Sequence, residues 1–193
     1  MKRFCTLLAL IVLSALGLWA GEVSRPAPPL TVVTPGGDKI SLSDFKGKVV
    51  LLKFFLTDCP HCQRSATNIM PIYREWRSRG LEVLGVAINA DAKWRVPEFA
   101  QRFGVTYPLA LGSNAMITSF ADVSAVTKVF VPYIFMIDRK GVIRYQHPGG
   151  DTFYSNEAQN LRTELDTLLK EPAGARKVAH KPASKERAAV ADR

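Results

Sequence analysis

Apolar and polar positions alternate between two kinds of block along this chain. The first kind is continuous. Val49-Val50-Leu51-Leu52-Lys53-Phe54-Phe55-Leu56 is apolar at every position but Lys53, and Leu81-Glu82-Val83-Leu84-Gly85-Val86-Ala87-Ile88 nearly so. Runs of this length without alternation predict strands covered on both faces, over 48–56 and 81–88. Val129 to Ile137, interrupted by Pro132, predicts a third, with shorter strands at Tyr107–Leu111 and Val142–Gln146. The second kind is periodic. Ile69, Ile72, Tyr73 and Trp76 fall at helical spacing and predict a helix from about residue 60 to Arg79, stopped by Gly80. Pro71 lies inside it, removes a backbone donor and predicts a kink. Val96, Phe99, Ala100 and Phe103 define one face of a helix over 94–103, and further helices are expected over 114–121 and 156–169.

Turn chemistry separates these blocks. Thr34-Pro35-Gly36-Gly37-Asp38 joins Leu30–Val33 to Lys39-Ile40 as a short hairpin, Ser41–Gly47 is a tight connection, and Asp138-Arg139-Lys140-Gly141 turns into the last strand. The Pro-rich residues 21–29 read as a linker. Strands alternating with helices imply a parallel centre, and the closing hairpin adds antiparallel strands. The expected fold is α/β, a central mixed β-sheet flanked by helices over residues 30–170.

The N-terminus changes the expected location. Lys2 and Arg3 precede Phe4–Ala20, 17 residues without a charge. This is the pattern of a secretory signal, with cleavage after Gly17 or Ala20, and its length is also at the lower limit for a membrane anchor. Either way the domain 30–170 is expected outside the cytoplasm, periplasmic or otherwise extracytoplasmic, where disulfide chemistry operates. The net charge of +9 becomes +7 once Lys2 and Arg3 are removed. Much of the excess lies in 171–193, with six basic residues against three acidic ones; this segment is expected to be a solvated basic tail. No aromatic residue interleaves its charges, which argues against nucleic-acid binding. An apolar content of 47% excludes global disorder.

The candidate chemistry is Cys59-Pro60-His61-Cys62, placed where the strand 48–56 gives way to a helix. Of three cysteines, Cys5 lies in the leader, so Cys59 and Cys62 have no third partner. Pro60 suits the first turn of a helix. The N-terminus of that helix supplies donors and a positive end, which stabilise a thiolate at Cys59. The pair therefore predicts reversible thiol–disulfide exchange, with Cys59 attacking and Cys62 resolving the mixed disulfide. It needs no cofactor. A structural zinc site requires a second ligand pair, and neither His147 nor His180 has one in the sequence.

With these blocks in order, the chain resembles the thioredoxin-fold proteins of the TlpA/ResA-like thiol–disulfide oxidoreductase group, within the redoxin (AhpC/TSA-like) superfamily. The likeness covers about Pro28 to Lys170. It is carried by Leu42-Ser43-Asp44-Phe45-Lys46-Gly47-Lys48, by the CxxC closing its strand, by the strand and helix inserted at 105–121, and by the block Val131-Pro132 to Gly141. The resemblance implies a cis-proline at Pro132, with the backbone of Val131 set beside the cysteines to pair with an extended substrate. It implies protein thiol or disulfide substrates, apocytochromes among them, a membrane redox partner, and a monomer.

Several residues depart from that group. Asp58 stands where a tryptophan is usual, and Lys53 stands six residues before Cys59, where the wider fold often buries an acid. A buried lysine there is expected to be structural, neutral or ion-paired, or to take part in proton transfer. The helix proline, Pro71, comes about one turn later than usual. His61, as a cation, would stabilise the Cys59 thiolate and make the disulfide more oxidising. The same Pro-His pair occurs in DsbA-like oxidases, whereas the layout, lacking their large helical insertion, is that of the reductases. Two other uses of the cysteine pair remain open at this point. Two thiolates suit Cu(I) delivery, although no Met-rich or His-rich stretch accompanies them. A thiol peroxidase would place Thr three residues before its cysteine, and Thr57 lies two before Cys59.

Overall fold

The computed structural model describes residues 22–172. The expected leader (1–20) and nearly all of the basic tail lie outside these residues. The elements in order are β1 (Glu22–Pro26), β2 (Thr31–Val33), β3 (Lys39–Ser41), β4 (Val49–Phe55), α1 (Pro60–Trp76), β5 (Leu81–Ala87), α2 (Ala92–Arg102), β6 (Leu109–Leu111), α3 (Asn114–Ala121), β7 (Tyr133–Ile137), β8 (Val142–His147) and α4 (Glu157–Lys170). They build one eight-stranded sheet in the order β1-β8-β7-β4-β5-β6-β2-β3. β4, β5 and β6 are parallel, and every other neighbouring pair is antiparallel.

The unbroken apolar runs have the cause their pattern implies. All seven residues of β4 are buried, because helices cover both faces. Val49, Leu51 and Phe55 pack with Ile69, Ile72, Trp76, Phe99, Leu161 and Leu165 under α1, α2 and α4. Val50, Leu52 and Phe54 pack with Ile117, Phe120 and Phe135 under α3. α1 ends as expected: a short 3-10 turn, Arg77–Arg79, runs into Gly80 at φ 96°, a left-handed C-terminal cap that glycine adopts without strain.

The structure differs from the sequence reading at four borders. Residues 22–26, expected within a linker, form β1 and pair with β8. Arg25 helps to hold this strand by donating from Nη2 to the Phe120 carbonyl at 2.8 Å and to Gln146 Oε1 at 2.9 Å. The proline content masked it, since an edge strand tolerates a proline such as Pro26 that a central strand does not. β7 starts at Tyr133, not Val129, because Pro132 has no N–H to give to the ladder. α2 begins at Ala92, and β6 is only three residues long.

Candidate functional site

β4 delivers the chain to the site at its C-terminal end. The turn after it is tied on two sides. Asn89, just past β5, donates from Nδ2 to Thr57 Oγ1 at 3.0 Å and accepts from the Thr57 N–H at 3.3 Å. Gln63 Nε2 donates to the Thr57 carbonyl at 3.0 Å. Cys59 then occupies the N-cap of α1 with Pro60 at the first helical position. Its sulfur accepts from the Cys62 N–H at 3.4 Å, so it takes up one of the donors left open at the helix start.

The two cysteines meet different surroundings. Cys59 is part-exposed, Pro60 and His61 are exposed, and Cys62 is fully buried. Both thiols are free. Burial pushes the Cys62 thiol up to about 12. Sequence position and structure thus agree on a solvent-facing first sulfur and an enclosed second one.

A second loop closes on Cys59 from β7. The Val131–Pro132 peptide is cis, Pro132 is buried and Val131 half-buried. The Val131 carbonyl lies 4.0 Å from Cys59 Sγ. Two contacts set this loop. Gly149 N–H donates to the Phe130 carbonyl at 2.9 Å. A Cβ at Gly149 would fall 2.7 Å from the Phe130 carbonyl carbon and 2.8 Å from the Val131 nitrogen, so only glycine lets the two backbones approach. The Tyr154 hydroxyl, meanwhile, lies 2.6 Å from the Pro132 carbonyl and 2.8 Å from that of His147. Burial drives the Tyr154 phenol well above its ordinary range, which keeps it a neutral donor.

Behind Cys62 runs a polar seam inside the core. Lys53 is 0% exposed, and its Nζ donates to the Cys62 carbonyl at 3.0 Å. Burial lowers it from 10.5 to about 8, against the opposing pull of Cys62, Glu157 and Cys59. Glu157, the first residue of α4, is buried; its Oε2 accepts from Asn68 Nδ2 at 2.8 Å, while Oε1 has no partner. The Ser65 hydroxyl and the Tyr107 hydroxyl are also buried without partners.

The structure brings together Cys59, Pro60, His61, Cys62, Val131 and Pro132 at one end of the sheet. Asp58 is exposed beside them. Sequence reasoning missed Asn89, Gly149, Tyr154 and Glu157. The last three lie some 90 residues after Cys59, and no local pattern distinguishes them from ordinary loop and helix-start residues.

Comparison with known proteins follows the same outline. A family model described as Redoxin matches residues 22–165. The thiol-disulfide oxidoreductase ResA of Geobacillus kaustophilus is 28% identical over 149 residues, covering 72% of this chain and 82% of the relative. The protein of the same name from Bacillus subtilis is 29% identical over 144 residues, covering 69% and 77%. Among solved structures, a thiol:disulfide interchange protein of the thioredoxin family from Chlorobium tepidum superimposes with a TM-score of 0.63 at 25% identity, over 78% of this chain and 99% of that one. The fold is thioredoxin-like, as the order of elements had implied.

Proposed function

The chain belongs to the Redoxin family, and we propose that it is a thiol–disulfide oxidoreductase that exchanges disulfides with other proteins outside the cytoplasm through Cys59 and Cys62. The observation that carries this reading is the asymmetry of the pair. One sulfur caps a helix at the surface, and the other lies enclosed one turn further in. The relatives named as thiol-disulfide oxidoreductases support it.

In the working cycle the Cys59 thiolate attacks a substrate disulfide. One substrate sulfur leaves with the electron pair and takes a proton, and the other stays bonded to Cys59. Cys62 then loses its proton and attacks Cys59 Sγ. The Cys59–Cys62 disulfide forms, and the second substrate sulfur departs as a thiolate that is protonated in turn. The Val131 carbonyl beside Cys59 supports pairing of this backbone with an extended substrate segment. Pro60 starts the helix whose end faces the thiolate, and His61, when protonated, adds a positive charge next to it. A membrane redox partner would return the pair to the dithiol. The layout favours a reductase acting as a monomer.

Equilibration with glutathione buffers tests the reading. A potential near roughly −270 mV places the protein among reductases, and one near roughly −120 to −180 mV among oxidases and isomerases. Cys62→Ser should accumulate a mixed disulfide on Cys59, and Cys59→Ser should abolish exchange. A Cys59→Ser variant that still reduces a protein disulfide at the wild-type rate would sink the proposal.

A further inference from the structure

Lys53 is the anomaly of the core. It sits mid-strand in β4, between Leu52 and Phe54, with 0% exposure. Taking an ammonium out of water costs several kcal/mol unless something compensates. Among the described residues it has no ion-pair partner; its Nζ has a bond to the Cys62 carbonyl and a position 5.3 Å from the Phe55 ring centroid. A leucine would fill the same space without that penalty. The Lys53 hydrogen bond goes to the cysteine that must ionise in a dry interior.

We propose that Lys53 is a positioning residue for disulfide exchange: its ammonium, pinned to the Cys62 carbonyl, stabilises Cys62 as a thiolate while Cys62 resolves the mixed disulfide. This rests on the thiol-exchange reading above. The resolving step begins with a neutral Cys62 thiol in a site that burial makes hostile to an anion. When its proton departs, the negative sulfur forms in the field of a positive nitrogen held on the carbonyl of the same residue, in surroundings where such attraction is strong. The sulfur attacks Cys59 Sγ, the Cys59–substrate bond breaks, and the substrate sulfur carries the electron pair out and takes up a proton. Lys53 keeps its own proton throughout. The charged and titratable groups facing it are Cys62 and Cys59 from α1 and Glu157 from α4. Glu157 Oε1 has no hydrogen-bond partner, and neither of its oxygens is paired with the Lys53 ammonium.

The test uses the reduced full chain and the chromogenic aryl disulfide dithiobis(nitrobenzoate), followed by stopped flow. Attack by Cys59 releases the first equivalent of thionitrobenzoate, and resolution by Cys62 releases the second. Lys53→Met keeps the volume and removes the charge. Without the ammonium less Cys62 is thiolate, and the higher nucleophilicity of a more basic sulfur restores only part of the rate, so the second phase should slow by about tenfold. The first phase should hold within a few-fold, and the variant should resist urea at least as well as the wild type, because a buried charge is gone. The wild-type protein supplies an independent readout. Its second phase should rise with pH and flatten above about pH 8, where Lys53 loses its proton; in Lys53→Met the flattening should vanish. Equal second phases in the two proteins, a wild-type profile with no bend, or a variant that loses stability with both phases slowed alike would overturn the proposal. A wild-type protein that releases no first equivalent would remove the thiol-exchange reading itself.

Discussion

Gly149 and Tyr154 show how single residues far from the cysteines determine what Cys59 faces. Gly149 has a backbone, not a side chain, as its neighbour, and that neighbour is the Phe130–Val131 peptide. In Gly149→Ala the added carbon has no flexible group to push aside, so the loop itself must move. The expected cost is about 1–3 kcal/mol of stability, as for other overpacked sites. Because the loop carries the Val131 carbonyl, protein-disulfide reduction should fall more than reaction with a small aryl disulfide that needs no backbone pairing. Urea unfolding and the two rates compared side by side check this. Equal losses for both substrates would mean that the loop does not engage the substrate. At this scale the sequence exposes the chemistry and hides its support. Cys59, Cys62 and Pro132 announce themselves by motif. Gly149 does not, because its need arises from the approach of a loop 18 residues away in sequence, and Glu157 does not, because an acid opening a helix is ordinary.

At the scale of elements, the β7–β8 hairpin links the cis-proline strand to the sheet edge. Asp138 organises its turn. Buried at 4% exposure, its Oδ1 accepts from the Lys140 N–H at 2.9 Å and the Val142 N–H at 3.0 Å, while Arg144 Nη1 lies 3.5 Å from Oδ2. Asp138→Ala strands two backbone donors and leaves Arg144 with Glu171, its partner at 2.7 Å. A loss of about 1–3 kcal/mol is expected, read as a lower melting temperature together with faster amide exchange in β8. The Asp-x-x-Gly pattern makes this turn legible in advance. β1 was not legible, because its sequence, Glu22-Val23-Ser24-Arg25-Pro26, has neither the apolar content nor the alternation of a strand. Pairing with β8 and the reach of Arg25 fix it from outside.

Across the whole molecule, Lys53 and Cys62 link stability to pH in opposite senses. Lys53 falls from 10.5 to about 8 on folding. Between those values the unfolded chain binds the extra proton, so stability rises with pH and is lost as pH falls toward 8. Cys62 climbs from 9.0 to about 12. Between those values the folded chain binds the extra proton, so stability falls as pH rises. The two windows overlap between 9.0 and 10.5 and oppose each other there. The reduced protein should therefore gain about 1 kcal/mol from this pair between pH 8 and 9, level off, and lose stability at higher pH. The oxidised protein has no Cys62 thiol, so its stability should keep rising between 9.0 and about 10, where the reduced form levels off; above that, the buried Tyr107 and Tyr154 phenols lower the stability of both forms. Chemical denaturation of both redox forms across this range reads the difference directly.

The borders of the sheet have a bearing on crowding. One border is β1, five residues that carry Arg25 and end in Pro26; the other is β3, the three residues Lys39–Ser41. Short, charged or proline-terminated margins make poor templates for a neighbouring chain. A protein that exchanges disulfides with partly folded chains, as proposed above, would meet unpaired strands. Margins of this kind give them little to add to, so the molecule resists becoming the seed of a mixed aggregate.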